Sequence, residues 1–291
     1  MEHQLWKAIV AVVRGLNNPP TPARFDFSHE DIVKVYYWSV VCDRPTCWAC
    51  RPEHWPLHLR KQPLPTPSTM SRRLRSRPVV ALLDALEQRV VAPKEPGLFW
   101  IIDGKPLTIG GCSKDRQAGY GRAAAGKAKG YKLHALVSAD GIAAWRIAPM
   151  NKDERVMAAR LLRAAAIQGY VVADSNYDSN PLHAVCDRLG ELQLIAPRRY
   201  GPGHGLGHHR HSAGRLRAIE RLENPFPQFA KGLLHERAAI ERTFGNLVNW
   251  GGGLTTLPAW VRTHRRVRRW VQTKLVLSAL KRSTEITTCA A

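Results

Sequence analysis

Leu98-Phe99-Trp100-Ile101-Ile102-Asp103-Gly104 is an apolar run that stops at a carboxylate. Its length, its aromatic and β-branched content and the glycine behind it read as a buried strand. An unpaired carboxylate at the exit of a core strand is costly, so Asp103 needs a cation, a helix N-terminus or a metal nearby. Taken alone, Asp103 with Gly104 also reads as an ordinary turn. The two readings separate on whether other carboxylates join it.

A second short run ends the same way. Tyr170-Val171-Val172-Ala173 stops at Asp174, and Ser175-Asn176-Tyr177-Asp178-Ser179 follows as a loop. Between the two runs, residues 110–130 read as a glycine- and lysine-rich loop with Lys114, Arg116, Arg122, Lys127 and Lys129 against one acid, Asp115. Tyr131 to Val137 and Ile142 to Ala148 alternate about Asp140-Gly141 and read as a hairpin. A helix is expected over about 153–168, ended by Gly169, another over about 180–189, and a strand over 192–196.

Residues 198–229 read as a basic, irregular insertion whose His204, His208, His209 and His211 make a polar loop rather than a metal site. A long helix then carries Leu233, Ala238, Ile240, Phe244 and Leu247. The last helix, about 259–281, holds Arg262, Arg265, Arg266, Arg268, Arg269 and Lys274, with Trp260, Trp270, Val267, Val271 and Leu275 on its core side. This order implies an α/β domain over about 98–282, a mixed sheet with helices on both faces. If the strands ending at Asp103 and Asp174 are parallel neighbours, their carboxylates emerge side by side. Glu241 is the third acid that a helix could bring to that edge, with Arg237 one turn earlier on the same side.

Residues 1–92 read as a small all-helical unit. Leu5, Ile9, Val12, Val13 and Leu16 mark a first amphipathic helix, and Ser28 with Asp31 starts a second as a capping box. Cys47-x2-Cys50 with His54-x3-His58 has the outline of a zinc site, but the gap between the pairs is short, and small buried thiols with surface histidines are the other reading. A proline-rich connector delivers Ser68-Thr69-Met70-Ser71-Arg72-Arg73-Leu74-Arg75. A hydroxyl-rich helix start followed by arginines suits phosphate contact, as in helix-turn-helix-like DNA binding by Arg72 and Arg73; a solvated basic helix is the alternative.

The net charge of +21 attracts polyanions, nucleic acid first. No apolar run approaches bilayer length, and Leu5 to Leu16 lacks the cleavage site of a signal peptide. Six cysteines in 291 residues do not make a disulfide scaffold, which fits a reducing cytoplasm. Three clustered carboxylates repel one another unless hard cations neutralise them, and Mg²⁺ is the natural choice beside phosphate.

Four motifs in order carry a resemblance: Ile101-Ile102-Asp103-Gly104; Gly130-Tyr131-Lys132-Leu133-His134; Val172-Ala173-Asp174 through Ser179; and Glu236-Arg237-x3-Glu241-Arg242-Thr243-Phe244-Gly245. Over about 98–282 the chain resembles the DDE-type insertion-sequence transposases with a ribonuclease H-like catalytic domain. The resemblance implies Asp103, Asp174 and Glu241 as catalytic acids holding two Mg²⁺ ions, with Mn²⁺ able to substitute. It implies DNA contact by Arg237, Asn176 and Tyr177, with Lys132 and Arg242 as nearby cations. The partner is double-stranded DNA, both transposon ends and target, bound by a homodimer in the synaptic complex of a nucleoid-associated bacterial protein. The chemistry is strand cleavage, then attack by the freed 3′-OH, with no covalent protein–DNA intermediate. One branch of these enzymes has a Tyr before the Arg and a Lys after the Glu; here Leu234 and Val248 stand there, so a hairpin-forming, base-flipping route is not implied. The alternatives are a transposase-derived DNA-binding protein without activity, or a nuclease without strand transfer.

Overall fold

A computed structural model of the chain describes residues 2–17, 20–60, 63–94, 97–138, 141–200, 206, 210–223, 228–236, 254 and 256–289, the side chains of 230 and 283–289 excepted. The chain divides into two compact units. One comprises Met1–Val91, Leu247–Leu254 and Arg269–Ala291; the other comprises Ala92–Asn246 and Thr255–Arg268.

The first unit is helical: α1 (Glu2–Arg14), α2 (His29–Val41), α3 (Pro67–Arg73) and α4 (Arg77–Val91), with three short 3-10 turns between α2 and α3. The expected capping box is present, the Ser28 side chain accepting from the Asp31 N–H while Asp31 accepts from the Ser28 N–H. Trp6, Trp38 and Trp55 form an aromatic cluster with centroids 5.1–5.7 Å apart. The zinc outline is not assembled among the described residues. The Cys50 thiol donates to the Thr46 carbonyl, His54 stacks on Trp48, His58 meets His3, and Cys47 is exposed. Burial holds the Cys50 thiol up at about 11, so it stays protonated.

The second unit is built on a six-stranded mixed sheet: β1 (Phe99–Thr108), β2 (Gly119–Ala123), β3 (Gly126–Val137), β4 (Ile142–Pro149), β5 (Gly169–Val172) and β6 (Leu192–Ile195). β1, β3 and β4 pair antiparallel, and β5 and β6 continue the sheet in parallel beyond β1. Helices α5 (Glu154–Ala164) and α6 (Asn180–Leu189) pack on one face, where Trp100, Ile102, Val171 and Ala173 meet Leu161, Leu162, Leu182 and Val185. Helices α7 (Ala213–Glu223) and α8 (Gln228–Glu236) serve the other face, where Val172 and Ile195 meet Ala218, Leu233 and Leu234. The antiparallel strands β1, β3 and β4, with β2 added to β3, followed by two parallel helix–strand units, give the expected ribonuclease H-like order, preceded by the helical region.

Four local expectations change. The tract read as a loop over 110–130 is largely a hairpin, because β2 pairs with an extension of β3. The irregular insertion contains α7, whose Ala218 and Ile219 are buried. Helix α5 ends at Ala164, and Gly169 starts β5 instead of ending the helix. It does so at φ +94°, with its Cα so close to the Leu98 carbonyl that a β-carbon would collide. The last helix, α9, runs His264–Cys289, later than expected, because Thr263 turns the chain at φ 72°. The backbone N–H groups of Thr263 and His264 donate to Asp115 and Gln117 at 2.8 and 2.7 Å. Trp260 is left 37% exposed, while Val267, Trp270, Val271 and Leu275 are core. Of the tract's cations, Lys274 is buried beside Asp43 and Arg269 lies over Tyr36; Arg262, Arg265, Arg266 and Arg268 are exposed. Among the described residues, no helix is long and apolar enough to cross a membrane.

Candidate active site

The pairing of β1 with β5 fixes where the first two acids stand. Trp100 lies level with Val171 and Ile101 with Val172 in a parallel register. Two residues further, that register sets Asp103 level with Asp174. Because side chains alternate, Asp103 belongs to the set that includes Phe99 on the α7–α8 face, while Asp174 lies beyond the last residue of β5. At Asp103 the strand β1 has lost its parallel neighbour but still pairs with β3, Asp103 opposite Ala135. The acids thus sit where β5 ends and a cleft can open beyond it.

Each acid is oriented locally. Asp103 Oδ1 accepts from the Gly104 N–H at 2.7 Å. Asp174 caps a single 3-10 turn, accepting from the Asn176 N–H at 2.8 Å and from the Asn176 side-chain amide at 3.3 Å. Asn176 is exposed, so its amide faces solvent as well as Asp174. Tyr177, next along, is 1% exposed and belongs to the core on the α5–α6 face. Burial raises its hydroxyl well above the ordinary range, and the charges of Glu154, Asp103 and Asp174 push it the same way. The hydroxyl makes no aligned hydrogen bond among the described residues.

Lys132 is buried on β3, and its ammonium pairs with Glu154 at the start of α5. Its charge is therefore met within the fold. His134, two residues on, is 1% exposed with neither ring nitrogen hydrogen-bonded among the described residues. Burial, helped by the Lys132 charge, lowers its pKa to about 4, so it is neutral.

The loop after Asp174 is clamped from below. Arg215 on α7 grips Asp178 with Nε and Nη2, both at 2.7 Å, and His183 Nε2 lies 3.4 Å away. Burial pushes the Asp178 carboxyl up, but the Arg215 and His183 contacts outweigh it and hold the carboxyl well below its usual range. Neither Glu154 nor Arg215 stood out in the sequence. Glu154 reads there as an ordinary first-turn acid, and Arg215 falls in the tract taken as irregular.

The remaining residues divide as follows. Glu241, Arg237 and Arg242 lie outside the described residues. Arg72 is exposed at the end of α3. Arg73 turns inward, 2.8 Å from His29 Nδ1 and 4.0 Å over the Phe25 ring. Among the described residues no three His, Cys, Asp or Glu side chains group closely enough to hold a metal. The donor set fits a hard divalent cation nonetheless: two carboxylates, Asp103 and Asp174, stand at the same end of the paired strands β1 and β5.

No curated protein matches the chain. Among solved structures, "Cryo-EM structure of piggyBac transposase synaptic complex with hairpin DNA" aligns at 12% identity with a TM-score of 0.38, covering 69% of this chain and 50% of that one. The chain thus spans about half the length of that protein. A family profile described as "Transposase DDE domain" matches residues 95–273, which is most of the chain and includes every strand of the sheet. The chain belongs to the DDE-domain transposase family.

Proposed function

We propose that this chain is a DNA transposase that binds the ends of an insertion sequence, cleaves there with divalent metal, and joins the freed 3′-OH to target DNA. The observation that supports the reading is the β1–β5 register, which, continued two residues past Ile101 and Val172, leaves Asp103 and Asp174 at the same end of the sheet. Held by Asp103, Asp174 and Glu241, two Mg²⁺ ions would supply activation of the attacking oxygen and stabilisation of the leaving one, with Mn²⁺ as a substitute.

The rest of the site is this chain's own work. Asn176 orients the Asp174 carboxylate and offers its amide to DNA. Tyr177 anchors the turn in the core rather than reaching outward. The Asp178–Arg215 clamp keeps the turn in place. Arg72, Arg237 and Arg242 meet phosphate; Arg73 serves DNA binding by fixing α3 against His29. Lys132, its charge met by Glu154, ties β3 to the start of α5 instead of reaching phosphate. Residues 1–92 serve as the DNA-binding domain and 98–282 as the catalytic one. Two chains form the synaptic pair, on double-stranded DNA in the bacterial nucleoid.

The test is cleavage and joining of a duplex carrying the inverted repeat that flanks the gene, with Mg²⁺ or Mn²⁺. Asp103→Ala is expected to lower cleavage by more than about a hundredfold while leaving end binding in place. Wild-type protein that binds the end and never cuts it would make this a DNA-binding protein only. Cutting without joined products would make it a nuclease.

A further inference from the structure

The β2–β3 ribbon has two unlike faces. Residues alternate along each strand, so Gly119, Gly121, Ala128 and Gly130 share one face, and Tyr120, Arg122, Lys127 and Lys129 share the other. The small face is packed: a β-carbon on Gly121 would come within 2.5 Å of the Met150 carbonyl oxygen, and one on Gly119 would collide with Asn151. The ribbon is thereby seated against the end of β4. The other face is open, with Tyr120 60% exposed and Arg122 and Lys127 exposed.

That open face carries an unfavourable arrangement. Arg122 stands directly opposite Lys127, and like charges in that position destabilise a strand pair. Among the described residues, no carboxylate forms an ion pair with either. The only acid between Asp103 and Asp140 is Asp115. It is buried and already accepts from Tyr131, Gln117 and Thr263. Lys127 lies 5.9 Å over the Tyr120 ring, a contact that holds its ammonium at the surface without neutralising it. An external polyanion would relieve this repulsion.

We infer that the β2–β3 ribbon is a double-stranded DNA-binding element that lays Arg122 and Lys127 on backbone phosphates, with Tyr120 beside them. The inference rests on the reading of the chain as an enzyme acting on DNA. A two-stranded ribbon fits the major groove of B-form DNA, whereas the deep, narrow major groove of duplex RNA does not admit it. A membrane surface is disfavoured because Tyr120 is the one large apolar group on this face. The placement also suits a catalytic partner. Lys127 and Ala135, the residue opposite Asp103, lie on the same strand. At the usual rise their separation is about 27 Å, less than one helical turn of DNA. The ribbon thus grips the flank of the segment that reaches the acids.

The test is binding of the full chain to a duplex of arbitrary sequence, followed by fluorescence anisotropy across a salt series. For Arg122→Ala/Lys127→Ala, the slope of log affinity against log salt is expected to become shallower by about two, the loss of two phosphate contacts. Its melting temperature should stay level or rise, because a repulsive pair has gone. Arg163→Ala/Arg188→Ala removes the same charge from α5 and the end of α6 and should leave the slope nearly unchanged. Arg122→Lys should keep the wild-type slope. A ribbon variant whose slope matches wild type, whose slope changes no more than that of the control, or whose melting temperature falls would overturn the assignment. If wild type binds and cuts DNA in those cases, only the ribbon is refuted. Wild type that binds no duplex refutes the reading of the chain itself.

Discussion

Asp103 stands at the point where β1 keeps its antiparallel partner and loses its parallel one. That position turns an awkward charge into a usable one, because Asp174 leaves the neighbouring strand at the same level. Around them, Lys132 and Glu154 make a mostly buried ion pair, their side chains 11% and 27% exposed. Lys132→Met strands Glu154 without its cation, and we expect a loss of about 1–2 kcal/mol, discounted for the partial exposure of Glu154, by urea denaturation. His134 gives a pH signature. Its folded pKa is about 4 against 6.5 unfolded, so below 6.5 the unfolded chain takes up a proton that the native one refuses. Its contribution is intact above pH 6.5 and is lost as pH falls toward 4, by up to about 3 kcal/mol. Replacing it in His134→Leu should flatten the stability profile in that window; a profile that keeps its slope would mean another group titrates there. Asp103 and Asp174 were legible in the sequence because each interrupts an apolar run. Tyr177 was legible as a member of the same motif, but not as a core residue, since its burial depends on α5 and α6 packing over it.

The secondary-structure elements show what local pattern carries and what it misses. Ser28 and Asp31 announce the start of α2 because a capping box is complete within four residues. Ser28→Ala should cost about 1 kcal/mol, measured by thermal or urea unfolding. Gly169 sits near the end of a helix-like pattern, yet its positive φ and contact with Leu98 serve β5; that demand comes from a strand far off in sequence. The β2–β3 ribbon escaped because its inner face is glycine and alanine, which leave no apolar alternation to detect. Helix α7 escaped among arginines whose partners are distant: Arg215 on Asp178, Arg217 on Asp187. The buried Asp178–Arg215 pair should make acid unfolding begin early. The depressed carboxyl contributes fully above its unfolded pKa of about 4, and that contribution is lost as pH falls through the lower folded value. Asp178→Asn should cost about 3–5 kcal/mol near neutral pH and remove that acid dependence.

Across the whole molecule, charge and topology point the same way. A net charge of +21 gives a long-range attraction to polyanions. The sheet concentrates two acids at one edge of that otherwise basic chain, where repulsion between carboxylates calls for cations. The α/β class and the apolar runs that end at Asp103 and Asp174 could be read in sequence because each rests on short-range pattern. The grouping of the tract from Arg269 with the N-terminal helices could not, because it rests on contacts distant in sequence, such as that of Arg269 with the Leu74 carbonyl. The central claim is that Asp103, Asp174 and Glu241 share divalent metal. Crystals grown with Mn²⁺ and examined by anomalous scattering test it most directly. The expected result is density between these three carboxylates, lost in Asp103→Asn; carboxylates too far apart to share an ion, with the Mn²⁺ signal elsewhere, would contradict it.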